Sequence, residues 1–68
     1  EAIRLAQVGL NRWFDRMAAL AGRPNPPDLV ITGWWDPPTR AAVIALQQII
    51  GVNELGTIGR ATWEALYP

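Results

Sequence analysis

Thr32-Gly33-Trp34-Trp35-Asp36-Pro37-Pro38-Thr39 decides how this chain folds, because it reads as a tight turn that launches a helix. Gly33 permits a positive φ that other residues resist. Asp36 is a good N-cap, and Pro37 at the first helical position gives up an amide that would be unpaired there anyway. Thr39, at the third helical position, can bond back toward its cap in a weak relative of the capping box. Beyond it Ala42, Val43, Leu46, Ile49 and Ile50 recur along one helical face, and Gly51 closes the helix. The same device returns 23 residues later as Gly56-Thr57-Ile58-Gly59-Arg60-Ala61-Thr62. Each copy has a turn glycine, an apolar residue two places on (Trp35, Ile58) to plug the core, a small capping residue, and a threonine three after the cap. The second copy starts a short helix from about Gly59 to Leu66 that carries Trp63 and Leu66.

Upstream, Ile3, Ala6, Leu10, Trp13, Met17 and Leu20 recur at alternating three- and four-residue steps. At about 3.6 residues per turn they fall within an arc of roughly 100°, the apolar stripe of a long first helix. Phe14 widens this stripe, Leu5 and Val8 lie off it, and Arg4, Gln7, Asn11, Arg12, Asp15 and Arg16 take the other face. Gly22 stands where a left-handed cap is expected, with Pro24 just beyond. Gly22-Arg-Pro-Asn-Pro-Pro-Asp28 is a loop, because its prolines and glycine exclude a helix. Leu29-Val-Ile-Thr32 reads as a short extended segment, one side of a small ribbon.

Sixty-eight residues make one domain, 1–68, with a single core. With no cysteine or histidine, neither a disulfide nor a structural zinc can staple it, so the 50% apolar content and four tryptophans must stabilise it. The six arginines and six acids balance to a net charge of zero with no basic block, which removes the electrostatic footprint of a nucleic-acid binder. A helix-turn-helix reading also fails on its connection, since about eight residues separate the second and third helices instead of the usual three or four. The chain has no His, Cys, Ser or Lys, which excludes triads, thiol nucleophiles, Schiff-base lysines and histidine metal sites. Only Glu1, Asp15, Asp28, Asp36, Glu54 and Glu64 remain for acid-base work, and so small a domain has little room to set two carboxyls across a substrate cleft. The expectation is a protein that is not an enzyme and uses no cofactor or metal. No apolar run approaches the ~18 residues of a membrane span. The chain begins at Glu1 almost inside a helix pattern, which reads as a domain excised from a longer multidomain protein.

The segment Thr32-Gly-Trp-Trp-Asp-Pro-Pro-Thr-Arg-Ala-Ala-Val-Ile-Ala-Leu-Gln-Gln-Ile-Ile-Gly-Val52 resembles the pattern D-G-x-F-G-P-x-T-x-x-A-V-x-x-F-Q-x-x-x-G-L of the bacterial peptidoglycan-binding domain family. Leu55-Gly-Thr-Ile-Gly-Arg-Ala-Thr-Trp-Glu-Ala-Leu66 is similar to that family's second motif, D-G-x-V-G-x-x-T-W-x-x-L, and Ile3, Ala6, Gln7, Leu10 and Asn11 fit its first-helix pattern. The chain departs from the family where Thr32 and Leu55 replace the turn aspartates and Asp36 replaces a glycine, and in a longer first helix and a larger proline-rich loop. The resemblance implies an all-α, compact three-helix bundle with two pseudo-symmetric loop-helix junctions. It implies non-catalytic binding of peptidoglycan, glycan or stem peptide, in a shallow groove near those junctions. It also implies a monomer in the cell wall or periplasm, or delivered there by a phage, linked to a catalytic domain such as a cell-wall hydrolase or lysin.

For the site, Trp34, Asp36, Arg40 and Arg60 are the candidate ligand-binding residues. Trp34 follows a turn beside Trp35, so its side chain points the opposite way, toward solvent. There it either meets a sugar face or stem-peptide chain, or folds over the proline-rich loop. Arg40 and Arg60 either grip a carboxylate or are solvated near helix N-termini. Asp36 is a cap first and a ligand group second. Arg40, Ile44 and Gln47 fall on one outward strip, and the Gln47 amide is suited to satisfying loop backbone groups. The other reading is an interaction module that has lost wall binding, favoured by Ile44, the long first helix and the replaced aspartates.

Overall fold

The computed structural model describes residues 1–24, 27–53 and 56–68. Three helices form: α1 (Ala2–Leu20), α2 (Pro37–Ile50) and α3 (Arg60–Leu66), with no strand among the described residues. The glycine caps act as the sequence implies. Gly22 has φ +68° and closes α1 with a Schellman pair, Arg23 N–H to Ala18 O (2.8 Å) and Gly22 N–H to Ala19 O (3.1 Å). Asp36 caps α2 by accepting from Thr39 N–H (3.0 Å), Pro37 takes the first helical position, and Gly51 ends the helix at φ +81°. α3 has only Gly59 as its N-cap, with no side-chain bond.

The core is one cluster of Ala6, Leu10, Trp13, Val43, Leu46 and Leu66, with Phe14, Leu29, Ile58 and Trp63 packed around it. α1 packs against both other helices. Its contact with α3 is close because Gly9 is buried there: a Cβ at Gly9 would lie 3.0 Å from Tyr67 Cε2 and 3.1 Å from Leu66 Cβ. The Tyr67 hydroxyl, donating to Leu5 O (2.7 Å), fastens the same contact.

The structure corrects several expectations. The apolar stripes outrun the bundle, leaving Met17 38%, Leu20 76%, Ile49 64% and Ile50 37% exposed. At about 1.5 Å per residue α1 is roughly 28 Å long and α3 roughly 10 Å. The short helix covers the first half of α1, reaching Gly9, and leaves its end open. Leu29–Thr32 forms no ribbon; its start is pinned by Asn11, whose Oδ1 accepts from Leu29 N–H (2.7 Å) and whose amide donates to Leu29 O (3.1 Å). A side chain thereby supplies the pairing that a neighbouring strand would have given. The replaced aspartate position at Leu55, and Asn25, Pro26 and Glu54 of the two loops, lie outside the described residues.

Candidate functional site

Each loop-helix junction is held from below by a buried glutamine. Gln7 and Gln47 are both 0% exposed. A glycine N–H can only donate, so it fixes which end of each amide faces it. Gly33 N–H donates to Gln7 Oε1 (3.0 Å), and Gly56 N–H donates to Gln47 Oε1 (2.9 Å). The amide nitrogens then donate onward. Gln7 Nε2 reaches Thr39 Oγ1 (2.8 Å), Thr32 Oγ1 (3.0 Å) and Trp34 O (3.2 Å), while Gln47 Nε2 reaches Thr62 Oγ1 (3.0 Å) and Thr57 O (2.6 Å). The motif echo in the sequence is thus an echo in space, including the glycines at φ +78° and +87°. Over each glycine lies an arginine: a Cβ at Gly33 would sit 3.3 Å from Arg4 Nη2, and one at Gly56 3.3 Å from Arg40 Nη2.

At the first junction the network ends on a carboxylate. The Thr39 hydroxyl donates to Asp36 Oδ1, and the Thr32 hydroxyl donates to Oδ2 (3.0 Å). The Thr39 hydroxyl foremost, then the Thr39 N–H and the Thr32 hydroxyl, hold the Asp36 carboxyl below its ordinary pKa, against an opposing effect of desolvation. Asp36 is therefore a cap with both oxygens engaged.

Two open grooves meet at these junctions. One, of about 590 Å³, runs along a face of α2 and is lined by Trp35, Asp36, Pro37, Arg40, Ala41, Ile44, Ala45 and Gln48. The other, of about 380 Å³, lies where the N-terminus of α1, the second turn and α3 come together, and is lined by Ala2, Ile3, Trp35, Gly56, Thr57, Ile58 and Trp63. Trp35 belongs to both, so its indole is the ridge between them, and Arg40 bridges from the first groove to Gly56 of the second. Residues of both junctions, Trp35 of the first and Gly56, Thr57 and Ile58 of the second, line one groove, and the described prolines of the long loop lie elsewhere: Pro24 lines a groove with Trp13 and Met17, Pro27 one with Asn11 and Phe14.

Of the four candidate residues, Asp36 and Arg40 line the α2 groove. Trp34 and Arg60 line neither groove. Trp34 points to solvent as expected, 74% exposed, while Arg60 pairs with Glu64 on the surface of α3 (3.1 Å). Three further expectations are corrected. Trp35, expected as a core plug, is 37% exposed and lines both grooves, whereas its counterpart Ile58 packs against the core. Gln47 does not share an outward strip with Arg40 and Ile44; it is buried in its backbone-satisfying role. Gln7, assigned to the polar face of α1, has the same role. The signal for it was its place beside Ala6 in the core stripe. Among the described residues no group of three or more acidic, His or Cys side chains is placed to hold a metal. No helix of the described residues is long and apolar enough to cross a membrane.

A family model for the peptidoglycan binding domain matches residues 1–66. No curated protein and no solved structure matches the chain.

Proposed function

The chain belongs to the peptidoglycan-binding domain family, and from that premise we propose that it is a non-catalytic module that holds peptidoglycan in the double groove around Trp35 and brings a linked wall-active enzyme to its insoluble substrate. The observation that supports this most is the groove itself. A 68-residue domain leaves a tryptophan 37% exposed between two concave surfaces at its rigidly bonded turns, with a guanidinium beside it. Aromatic and arginine side chains at the centre of a concave patch are the usual carriers of binding energy. Weak affinity suffices, since tethering raises the effective concentration of the linked enzyme at the wall. The setting this requires is extracytoplasmic, in the wall or periplasm.

Co-sedimentation with purified sacculi is the test. The expected result is saturable retention that falls with Trp35→Ala and Arg40→Gln, without release of soluble fragments from the sacculi. No retention by the intact chain would refute wall binding. A second reading, docking to another protein or domain, is favoured by the exposed Met17, Leu20, Ile49 and Ile50 at the far end of α1 and α2. It predicts that Leu20→Glu leaves sacculus retention unchanged and abolishes binding to the neighbouring domain.

A further inference from the structure

We propose that the α2 groove takes the peptide branches of peptidoglycan by a free carboxylate, with Arg40 as the anion contact and Trp35 and the small apolar side chains of α2 as the seat. This inference rests on the wall-binding reading and narrows its ligand. Its first support is charge. Among the described residues the one ion pair is Arg60–Glu64, so Arg40 is uncompensated there even though Asp36 stands one turn before it. The Arg40 guanidinium lies over Gly56, where a Cβ would stand 3.3 Å from its Nη2 and crowd it. An unpaired guanidinium presents its fork to a planar anion, and a carboxylate matches that fork with two hydrogen bonds.

The second support is the scarcity of other polar capacity. Both oxygens of Asp36 already accept from Thr39 and Thr32, and beyond them the groove's polar side-chain groups are Arg40, Gln48 and the Trp35 indole N–H. A glycan strand brings hydroxyl or acetamido groups on nearly every ring carbon, more than these few groups can pair, and the remainder lose water against Ala41, Ile44 and Ala45 without gaining a partner. A short peptide rich in alanine brings methyl groups for that face and a carboxylate for Arg40. Trp35 offers its indole to the same methyl groups.

The pseudo-symmetry supplies an internal control. Arg4 lies over Gly33 as Arg40 lies over Gly56, yet Arg4 lines neither groove. The experiment titrates the intact chain with three soluble probes: a stem tetrapeptide with free carboxylates, the same peptide fully amidated, and a β-1,4-linked N-acetylglucosamine tetramer. The resonances of the Trp35 indole N–H and the Arg40 Nε–H are followed by NMR. The free-acid peptide is expected to shift both and saturate. Amidation is expected to weaken binding on the order of tenfold, as the loss of a charge-assisted pair implies. Arg40→Gln and, independently, Ala41→Glu weaken the free acid by a similar factor, and Arg4→Gln does not. Equal binding of acid and amide overturns the inference, as does a response to the saccharide alone. A chain retained on sacculi but silent to the tetrapeptide also overturns it while leaving wall binding intact. A chain silent to the peptide and not retained on sacculi removes the wall-binding reading as well.

Discussion

Replacing Gln47 with leucine removes the amide that holds the second junction while keeping nearly the same volume. Three groups lose their partner: Gly56 N–H, Thr57 O and the Thr62 hydroxyl. Gly56 and Thr57 are at or near the surface, so water replaces the amide for them, and each loses the ~1 kcal/mol net value of an intramolecular hydrogen bond or less. Thr62 is 1% exposed, and stranding its hydroxyl costs about 1–3 kcal/mol. The sum is roughly 2–4 kcal/mol, against a total stability of about 3–10 kcal/mol for a chain this size. At about 4–8 °C per kcal/mol for a small domain, the midpoint falls by roughly 8–30 °C. Thermal and urea unfolding followed by circular dichroism measure this. Gln7→Leu is expected to cost a similar amount: Gly33 N–H loses its acceptor and Thr39 Oγ1, Thr32 Oγ1 and Trp34 O each lose a donor, while the Thr39 hydroxyl keeps its bond to Asp36. Gln48→Leu, one residue on and exposed, is expected to change stability by no more than about 0.5 kcal/mol. If Gln47→Leu stays within about 0.5 kcal/mol of the parent chain, the glutamine is not what secures the turn, and the account of both junctions fails.

Gly9→Ala forces a methyl against Tyr67 and Leu66 and is expected to cost about 1–3 kcal/mol by denaturant unfolding, despite the ~1 kcal/mol that alanine gains over glycine in a helix. Asp36 binds its proton less readily when folded than when unfolded, so its contribution to stability is complete above the ordinary aspartate pKa and is lost as pH falls through the lower folded value. Asp36→Asn keeps a good cap and removes that titration, so the acid limb of stability against pH flattens below about pH 4; an unchanged limb contradicts the assignment. Leu20→Gln, at 76% exposure, is expected to stay within about 0.5 kcal/mol of the parent, whereas Leu10→Ala, at 0%, costs about 2–5 kcal/mol by the same unfolding assay.

Helix ends were legible because their chemistry is local. Asp36, Pro37 and Thr39 act on one another within a single turn, and Gly22 and Gly51 need only their own φ to act as caps. Burial was less legible because it depends on what faces a residue. Nothing in the periodicity of Ile3 through Leu20 tells that α3 is too short to cover Met17 and Leu20. Trp35 and Ile58 hold the same place in the repeated motif, yet Ile58 packs against the core and Trp35 stays 37% exposed, a difference the motif does not carry. Gln7 itself was read on the polar face, although it borders the apolar stripe, and it is buried with the loop bonded over it. The site was half legible for the same reason. Asp36 and Arg40 share a groove because four residues make one helical turn, while Arg60 sits on another helix and pairs there with Glu64.

The departures from the family pattern at the first junction are linked physically. Thr32 stands in for the turn aspartate by accepting from Trp34 N–H (3.1 Å), the bond an aspartate there would accept. It also donates to Asp36 Oδ2 at 3.0 Å, which a carboxylate at position 32 could not do. An aspartate at 32 would instead set two negative charges side by side, and like charges at that separation cannot both stay ionised without cost. The negative charge has moved from the turn to the helix cap, and a hydroxyl has taken the place it left. At the second junction Gly56 N–H and Thr57 O are carried by Gln47, whatever residue precedes the glycine. Both turns keep their shape through the glutamines, so the replaced aspartates leave the Trp35 ridge and the Arg40 guanidinium where the fold puts them.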